Sequence, residues 1–342
     1  MKKQPSPRPV ADKPTLKSQV IAAFSNESPD CDVKSFFGRD GRFALLSDAS
    51  DASDRSKEVY VEFPTNRPLR SPLEIYVGRR RIVAGIWRAD LWANEQKLDA
   101  TGPWRTLCEE IDENGAFLER SLSLTGGRAF SRRLFVAYNE GLFLNVDVLH
   151  GSDSERAAVE HGLGSNAPLL RIRSAFPLDS TDAFATQTEA PSEVAFHDVD
   201  SRSLAFARAF LLEAYENPSD ERDGTLAVKT TYGGILAAEA RRRGGSLCVA
   251  TLFDWNASRA TRAVRIGKAT VGENLRAVDE NSALGRQIQL GRERYVLYVS
   301  TSRRPAIRSI LSRNLLSDFM FGKFLVGRGV EPLVDVEVPD GF

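Results

Sequence analysis

The sequence has no long apolar run and no excess of charge of one sign. Near its start the longest apolar run is VIAAF at 20–24, shorter than the roughly 7–15 apolar residues of a signal peptide. No stretch approaches the roughly 18–20 apolar residues of a membrane span. Since 46 basic residues balance 46 acidic ones, no overall field attracts nucleic acid or an anionic membrane. We expect a cytoplasmic protein with neither of these partners.

Cysteine and histidine are scarce, with three of each in 342 residues. The cysteines Cys31, Cys108 and Cys248 are odd in number and far apart, so we expect reduced thiols. No CxxC or mixed Cys/His ligand spacing occurs, so we predict no metal site and no cofactor. The chain also lacks a Walker loop and the GxGxxG, GxSxG and HExxH motifs, which disfavours the common nucleotide-binding and hydrolase classes.

Short alternating apolar segments dominate the remainder. From residue 59 onward, runs of five to ten residues recur between turns rich in Gly, Asn, Asp and Ser. This pattern predicts an all-β fold, a large antiparallel β-sandwich of supersandwich type with few or no long helices. Residues 1–58 are polar and rich in Pro and Ser, so we predict a flexible N-terminal region there and one β-sandwich domain over 59–342.

The clearest unit is a hairpin, in which RLFVAY (133–138) and LFLNVDVL (142–149) are joined by the three-residue turn NEG. Alternation places Leu142, Leu144, Val146 and Val148 on one face of the second strand and the intervening residues on the other. Alternation also predicts a strand over 155–163 and extended structure over 203–216. The pattern of segment 305–325 fits a helix at its start and a strand at its end, and we leave its structure open.

The segment 132–163 resembles the C-terminal β-sandwich region of heparinase II/III-like polysaccharide lyases. It has an Arg-initiated apolar strand, a turn, a strand that ends in Asp, a polar loop and a strand with His. The resemblance implies that Arg132 or Arg133 opens the first strand, that Asp147 ends the second, and that His161 lies on the third. Segments 252–300 and 321–338 are similar to uncharacterised planctomycete-type bacterial proteins that consist of this sandwich alone.

The resemblance implies His161 as the candidate catalytic residue, with Asp147 or Glu160 as its acidic partner, in a site where a neutral imidazole takes a proton from a sugar carbon. The corresponding activity is that of a heparinase-like lyase or a mutarotase-like epimerase. In these lyases a large helical toroid precedes the sandwich and holds much of the catalytic machinery. Here only about 60 polar residues precede the first clear strand, so a non-catalytic module is the favoured expectation.

Three of the four tryptophans fall within 18 residues, in the segment IWRADLWANEQKLDATGPWR. Indole rings stack on the flat C–H faces of sugars, and neighbouring polar side chains bond the hydroxyl groups. The predicted ligand-binding residues are Trp87, Trp92, Trp104, Arg88, Asp90 and Asn94. For Trp87, at the end of an apolar run, core packing is the favoured alternative, whereas for Trp92 and Trp104 the sequence favours neither core packing nor ligand binding. We therefore expect a module that binds a carbohydrate or a protein partner, while the oligomeric state stays open.

Overall fold

The computed structural model describes residues 35–37, 41–47, 57–160, 167–179, 181, 183–190, 192–199, 205–212, 223–229, 234–302 and 306–337. Most of these residues are extended, because apolar and polar side chains alternate along short segments that end at turns. The strands form four sheets, and every pairing within them is antiparallel.

Sheets 1 and 2 are the two large sheets. In spatial order, sheet 1 consists of β1 (Ser35–Phe37), β2 (Arg42–Ser47), β3 (Lys57–Glu62), β4 (Arg70–Val77), β5 (Arg80–Ala93), β11 (Leu169–Pro177), β16 (Ile235–Arg243) and β15 (Asp223–Lys229), with β6 (Gln96–Lys97) beside β5. Sheet 2 consists of β12 (Ala183–Gln187), β13 (Glu193–Asp198), β14 (Ala205–Leu211), β17 (Ser246–Asp254), β10 (Leu142–His150), β9 (Ala129–Ala137), β8 (Gly115–Ser123) and β7 (Arg105–Ile111).

Sheets 3 and 4 come from the last 80 or so residues. Sheet 3 consists of β18 (Val264–Lys268), β21 (Ala283–Leu290), β22 (Glu293–Ser300), β25 (Phe319–Leu325) and β26 (Gly329–Val336). Sheet 4 consists of β20 (Arg276–Ala277), β19 (Val271–Glu273), β23 (Arg308–Ile310) and β24 (Arg313–Leu315). One α-helix, α1 (Asp153–Glu160), and short 3-10 turns at Thr125–Gly127 and Ala257–Arg259 complete the described elements.

The four sheets stack as layers with an apolar core between each adjacent pair. Trp87 and Phe253 belong to the core between sheets 1 and 2. Val146 and Leu297 belong to the core between sheets 2 and 3, and Tyr298 to the core between sheets 3 and 4. Sheet 2 is therefore an inner layer, and all nine residues of β9 and of β10 are buried.

This arrangement confirms the predicted all-β sandwich and the predicted hairpin. Strands β9 and β10 pair with Ala137 opposite Leu142, and Gly141 closes the turn at φ 62°, a conformation that glycine adopts without strain. The predicted division of faces is also correct, because Val146 lies in the core against sheet 3 whereas Phe143 lies in the core against sheet 1.

The N-terminal region differs from the prediction where the structure describes it. Strands β1 and β2 lie within residues 1–58, the range predicted to be flexible, and both pair into sheet 1. Phe43 and Leu45 are buried in the core between sheets 1 and 2. The segment RFALLS is short and flanked by polar sequence, so its four apolar residues give a weak signal. The sheet therefore begins before residue 59.

The strand predicted over 155–163 is wrong, because Asp153–Glu160 is the helix α1. Its start is a reciprocal capping box: the Ser152 amide donates to Glu155 Oε2 (2.8 Å), and the Glu155 amide donates to Ser152 Oγ (3.4 Å). Over 203–216, the described residues Ala205–Leu211 are extended as predicted. The described part of 305–325 forms strands only.

Candidate functional site

Trp87 is a core residue. Its side chain is fully buried between sheets 1 and 2, and its Nε1 donates to Ser174 Oγ at 2.8 Å. The Arg132 guanidinium lies over the ring at 3.4 Å from its centroid, and Phe176 stacks at 5.0 Å. Both ring faces have protein partners, so the core alternative holds and the ligand-binding prediction for Trp87 is wrong.

Trp104 is also unavailable to a ligand. It is 6% exposed, its Nε1 donates to the Pro68 carbonyl at 2.7 Å, and its ring packs against Phe63 and Phe130. The surrounding polar sequence suggested a surface position. The contacts that bury it come from residues 26 to 41 positions away, which local patterning does not reveal.

Asp147 lies on β10 of sheet 2, an inner layer, and cannot reach a substrate. It is fully buried and accepts two hydrogen bonds from Arg132, at 2.7 Å from Nε and 3.0 Å from Nη2. This is the bidentate geometry of a strong arginine–carboxylate pair. The proposed catalytic role of Asp147 is therefore wrong, and the residue is part of a buried structural ion pair.

His161 lies outside the described residues, just after the end of α1. The strand that was expected to carry it is a helix as far as Glu160. Asp147 is therefore excluded as the partner of His161. The catalytic role of His161 itself stays a prediction.

Strand β5 brings several of the remaining predicted residues to one open surface. Trp87, Ala89, Leu91 and Ala93 point into the core. Alternation then directs Ile86, Arg88, Asp90 and Trp92 to the opposite, outer face of sheet 1. Ile86, for example, is 49% exposed there.

The outer face of sheet 1 carries a groove of about 730 Å³, which we call the arginine groove. Three arginines line it, Arg67, Arg70 and Arg88, together with Pro72, Ile86 and Pro177. No acidic side chain is among the described residues of its lining, and the three arginine side chains form no ion pair within the described part of the chain. Arg70 and Arg88 lie directly opposite each other on β4 and β5.

The other predicted ligand residues have protein partners. Asp90 forms an ion pair with Lys97 (3.3 Å). The Arg171 guanidinium covers the ring of half-buried Trp92 at 4.6 Å from its centroid. Asn94 lies in the β5–β6 turn at φ 47°, where its side-chain oxygen accepts from the Leu169 amide at 2.9 Å. The charges of Asp90 and Lys97, next to the groove, therefore compensate each other. The three arginines of the groove form no ion pair in the described part of the chain.

A second concave surface opens between sheet 2 and the C-terminal layers, with a volume of about 550 Å³. Five serines line it: Ser121, Ser123, Ser131, Ser300 and Ser302. His150 and Arg133 also reach it, although each is less than 10% exposed. We call this the serine–histidine pocket.

Within the pocket the imidazole of His150 is held on both sides. Its Nδ1 lies 3.2 Å from the Thr301 carbonyl, and its Nε2 lies 3.1 Å from Ser131 Oγ. Because a carbonyl oxygen can only accept, Nδ1 of the neutral ring carries the proton. Nε2 then accepts from the Ser131 hydroxyl, the arrangement in which a histidine activates a serine.

Arg133 contributes a buried positive charge to the same pocket. Its Nε lies 3.0 Å from Glu119 Oε1, and its Nη1 donates to the Asp318 carbonyl at 3.4 Å. Its Nη2 has no hydrogen-bond partner in the described part of the chain. Ser131 and Arg133 are two residues apart on β9 and therefore share a face.

Sequence reasoning missed this pocket because the alternating run LFLNVDVL ends at residue 149, whereas β10 extends one residue further to His150. The register of the β9–β10 hairpin would have shown that Ser131 and His150 are neighbours. Ala129 pairs with His150 and Ser131 with Val148, so Ser131 and His150 are diagonal neighbours on one face. The Thr301 carbonyl comes from 151 residues away and has no local signal.

Two further properties concern the described residues only. No group of three or more His, Cys, Asp or Glu side chains among them could hold a metal ion. The described part also contains no helix with the length and apolarity needed to cross a membrane.

No family model matches the chain, and no curated protein sequence matches it. Its fold is similar to that of the heparan sulfate lyase HepC from Pedobacter heparinus, with a TM-score of 0.54 and 12% identity over 84% of this chain and 46% of that one. It is also similar to heparinase III, the BT4657 gene product, with a TM-score of 0.51 and 10% identity over 84% of this chain and 45% of that one.

The chain thus spans about half the length of these lyases. At 10–12% identity the likeness establishes the fold. The two structures described above do not test the planctomycete-type resemblance, which stays a prediction. The chain therefore has a heparinase-like β-sandwich region, as its sequence predicts.

Proposed function

We propose that this chain is a β-sandwich module that binds an anionic carbohydrate in the arginine groove, and that the groove is a non-catalytic binding site. The observation that carries the proposal is the set of three arginines, Arg67, Arg70 and Arg88, around a groove without acidic residues in its described lining. Arginine forks match the planar carboxylate and the tetrahedral sulfate groups of acidic sugars.

The arrangement of Arg70 and Arg88 supports a ligand rather than a purely structural role. Like charges directly opposite each other on neighbouring strands repel and destabilise the sheet. A bound anion between the two guanidinium groups relieves that repulsion. The apolar side chains of Pro72, Ile86 and Pro177 offer a surface for the C–H face of a sugar ring.

The solved structures that share the fold support the ligand class, since one is named as a lyase of heparan sulfate, a sulfated polysaccharide. The absence of catalysis in the groove is supported by its residues: its described lining contains no carboxylate, histidine or tyrosine to move a proton. Asp147, the predicted acidic partner, is enclosed in the core on the other side of sheet 1.

The test is a binding titration with a sulfated heparin oligosaccharide, a carboxylated but unsulfated hyaluronan oligosaccharide and a neutral cello-oligosaccharide. We expect the two anionic probes to bind, the neutral one not to bind, and affinity to fall as salt screens the charges. Arg70→Gln with Arg88→Gln removes two hydrogen bonds to charged groups, each worth about 1.5–3 kcal/mol. Affinity should therefore fall at least about 100-fold.

The matched control is Arg265→Gln with Arg294→Gln, which removes two positive charges from sheet 3. This variant should bind like the wild type. Equal losses in both double variants would indicate attraction by overall charge and would contradict a site in the arginine groove. Binding of the neutral probe, or of none, would contradict the ligand class and favour a protein partner.

A further inference from the structure

The serine–histidine pocket is independent of the arginine groove and lies on a different sheet. It contains a hydroxyl group that donates to an unprotonated imidazole nitrogen at 3.1 Å, and the same ring is oriented by a backbone carbonyl at 3.2 Å. The Thr301 carbonyl is itself fixed, because it also accepts from Ser246 Oγ at 3.0 Å. The imidazole is therefore held on both sides, with Nδ1 toward the carbonyl oxygen and Nε2 toward the hydroxyl group.

These contacts reproduce the three functions of a nucleophilic serine site. Such a site needs a hydroxyl, a base within hydrogen-bond reach and a group that orients the base. Ser131, His150 and the Thr301 carbonyl fill these roles in that order. A purely structural Ser–His bond needs no adjoining cavity, whereas this one borders a space of about 550 Å³.

We propose that Ser131 and His150 form the nucleophile and general base of an esterase site for short-chain esters of polyhydroxy compounds, such as O-acetylated sugars. The substrate class follows from the lining. Serine and arginine side chains provide partners for hydroxyl groups, while Leu107, Leu124 and Ala129 provide a small apolar surface for an acyl chain. This activity goes beyond carbohydrate binding in the arginine groove and does not depend on it.

In the first step Ser131 Oγ bonds to the acyl carbon and its proton passes to His150 Nε2. The bond between the acyl carbon and the alcohol oxygen then breaks, and the alcohol leaves with the proton from Nε2. In the second step a solvent water attacks the acyl-serine and gives one proton to Nε2. The carboxylic acid leaves, and Ser131 Oγ regains its proton from Nε2. No oxidant or metal enters this balance.

Negative charge develops on the acyl oxygen in both steps and needs a donor. Arg133 supplies one, because it lies on the same face of β9, two residues from Ser131, at a Cα spacing of about 6.6–6.8 Å. Its Nη2 has no hydrogen-bond partner in the described part of the chain. A cation on this face of the pocket stabilises the negative charge of a developing oxyanion.

The test is labelling of the full-length chain with a fluorophosphonate probe, followed by trypsin digestion and mass spectrometry. Ser131 lies in the tryptic peptide AFSR (129–132), whereas Ser121 and Ser123 lie in SLSLTGGR (121–128). We expect the adduct on AFSR, so the site is assigned on the wild-type protein without any variant. We also expect hydrolysis of 4-nitrophenyl acetate above the buffer rate.

Variants then test the two roles. Ser131→Ala and His150→Ala should each lower hydrolysis by about 100-fold or more, and both should abolish labelling of AFSR. Ser309→Ala is the control, since Ser309 lies on β23 of sheet 4 and is not part of the pocket lining; it should be labelled like the wild type. Absence of an adduct on a protein with native circular dichroism, or an adduct on another peptide, would overturn the proposal.

Discussion

A buried ion pair lies in the core between the two large sheets. Arg132 and Asp147 are both less than 2% exposed, and the guanidinium is held by the carboxylate on one side and by the ring of Trp87 on the other. Removing two charges from water costs several kcal/mol per ion, which good geometry largely offsets. Both residues belong to sheet 2, and the contact of the guanidinium with Trp87 of β5 connects the pair to sheet 1.

Asp147→Ala should lower the free energy of unfolding by about 3–5 kcal/mol, because Arg132 would remain charged and buried without a partner. The double variant Arg132→Met with Asp147→Leu should recover much of that loss, since it removes both charges. Urea denaturation followed by circular dichroism measures both. Glu331→Ala, at an exposed strand position, should stay within about 0.5 kcal/mol of the wild type. If Asp147→Ala were equally neutral, Asp147 would be solvated and its catalytic role would regain support.

At the scale of elements, the alternation of apolar and polar residues was sufficient to predict a strand where the strand is followed by a clear turn. The β9–β10 hairpin, its turn and its two faces follow from residues 133–149 alone. Alternation failed at α1, where Ser152 and Glu155 carry a capping-box signal that the apolar pattern does not contain. The arginine groove needs the pairing of β5 with β4 and β11, which brings together segments whose order in a sheet no local pattern gives.

The capping box gives a prediction at this scale. Ser152→Ala removes the hydroxyl group that accepts from the Glu155 amide, at a typical cost of about 1 kcal/mol. Amide hydrogens of α1 should then exchange about fivefold faster, whereas those of β9 and β10 should not change, because both strands lie in the inner layer. Hydrogen exchange with mass spectrometry resolves the two regions. Ser309→Ala, on β23 of sheet 4, is the control, and equal acceleration in it would contradict a specific cap.

At the scale of the whole molecule, a polar network joins the layers beside the apolar cores. Arg259 bonds Asp254 at the end of β17, and it also reaches Glu293 of sheet 3 and the Glu140 carbonyl in the β9–β10 turn. Lys323 of sheet 3 connects Glu140 (2.7 Å) and Glu293 (3.0 Å). Sheets 2 and 3 are thus held together by charges of both signs at one edge of their shared core.

Glu293 makes that connection sensitive to acid. Burial alone would raise the pKa of Glu293, but hydrogen bonds from Lys323 and Arg259 outweigh it, so the pKa lies below its ordinary value. A carboxyl group with a lowered folded-state pKa contributes stability above its unfolded pKa of about 4.3. That contribution is lost as the pH falls through the folded-state value.

Glu293→Gln should therefore lower the thermal unfolding midpoint at pH 7, and the difference from the wild type should shrink as the pH falls below about 4.3. The difference in midpoint shrinks because protonation of Glu293 removes the stabilising charge of the wild type, whereas the glutamine of the variant does not titrate. Unfolding midpoints measured in steps from pH 7 to pH 3 test this. Glu331→Gln, at an exposed strand position, should run parallel to the wild type throughout. A difference that stayed constant with pH would mean that the Glu293 contacts act through hydrogen bonding and shape rather than through charge.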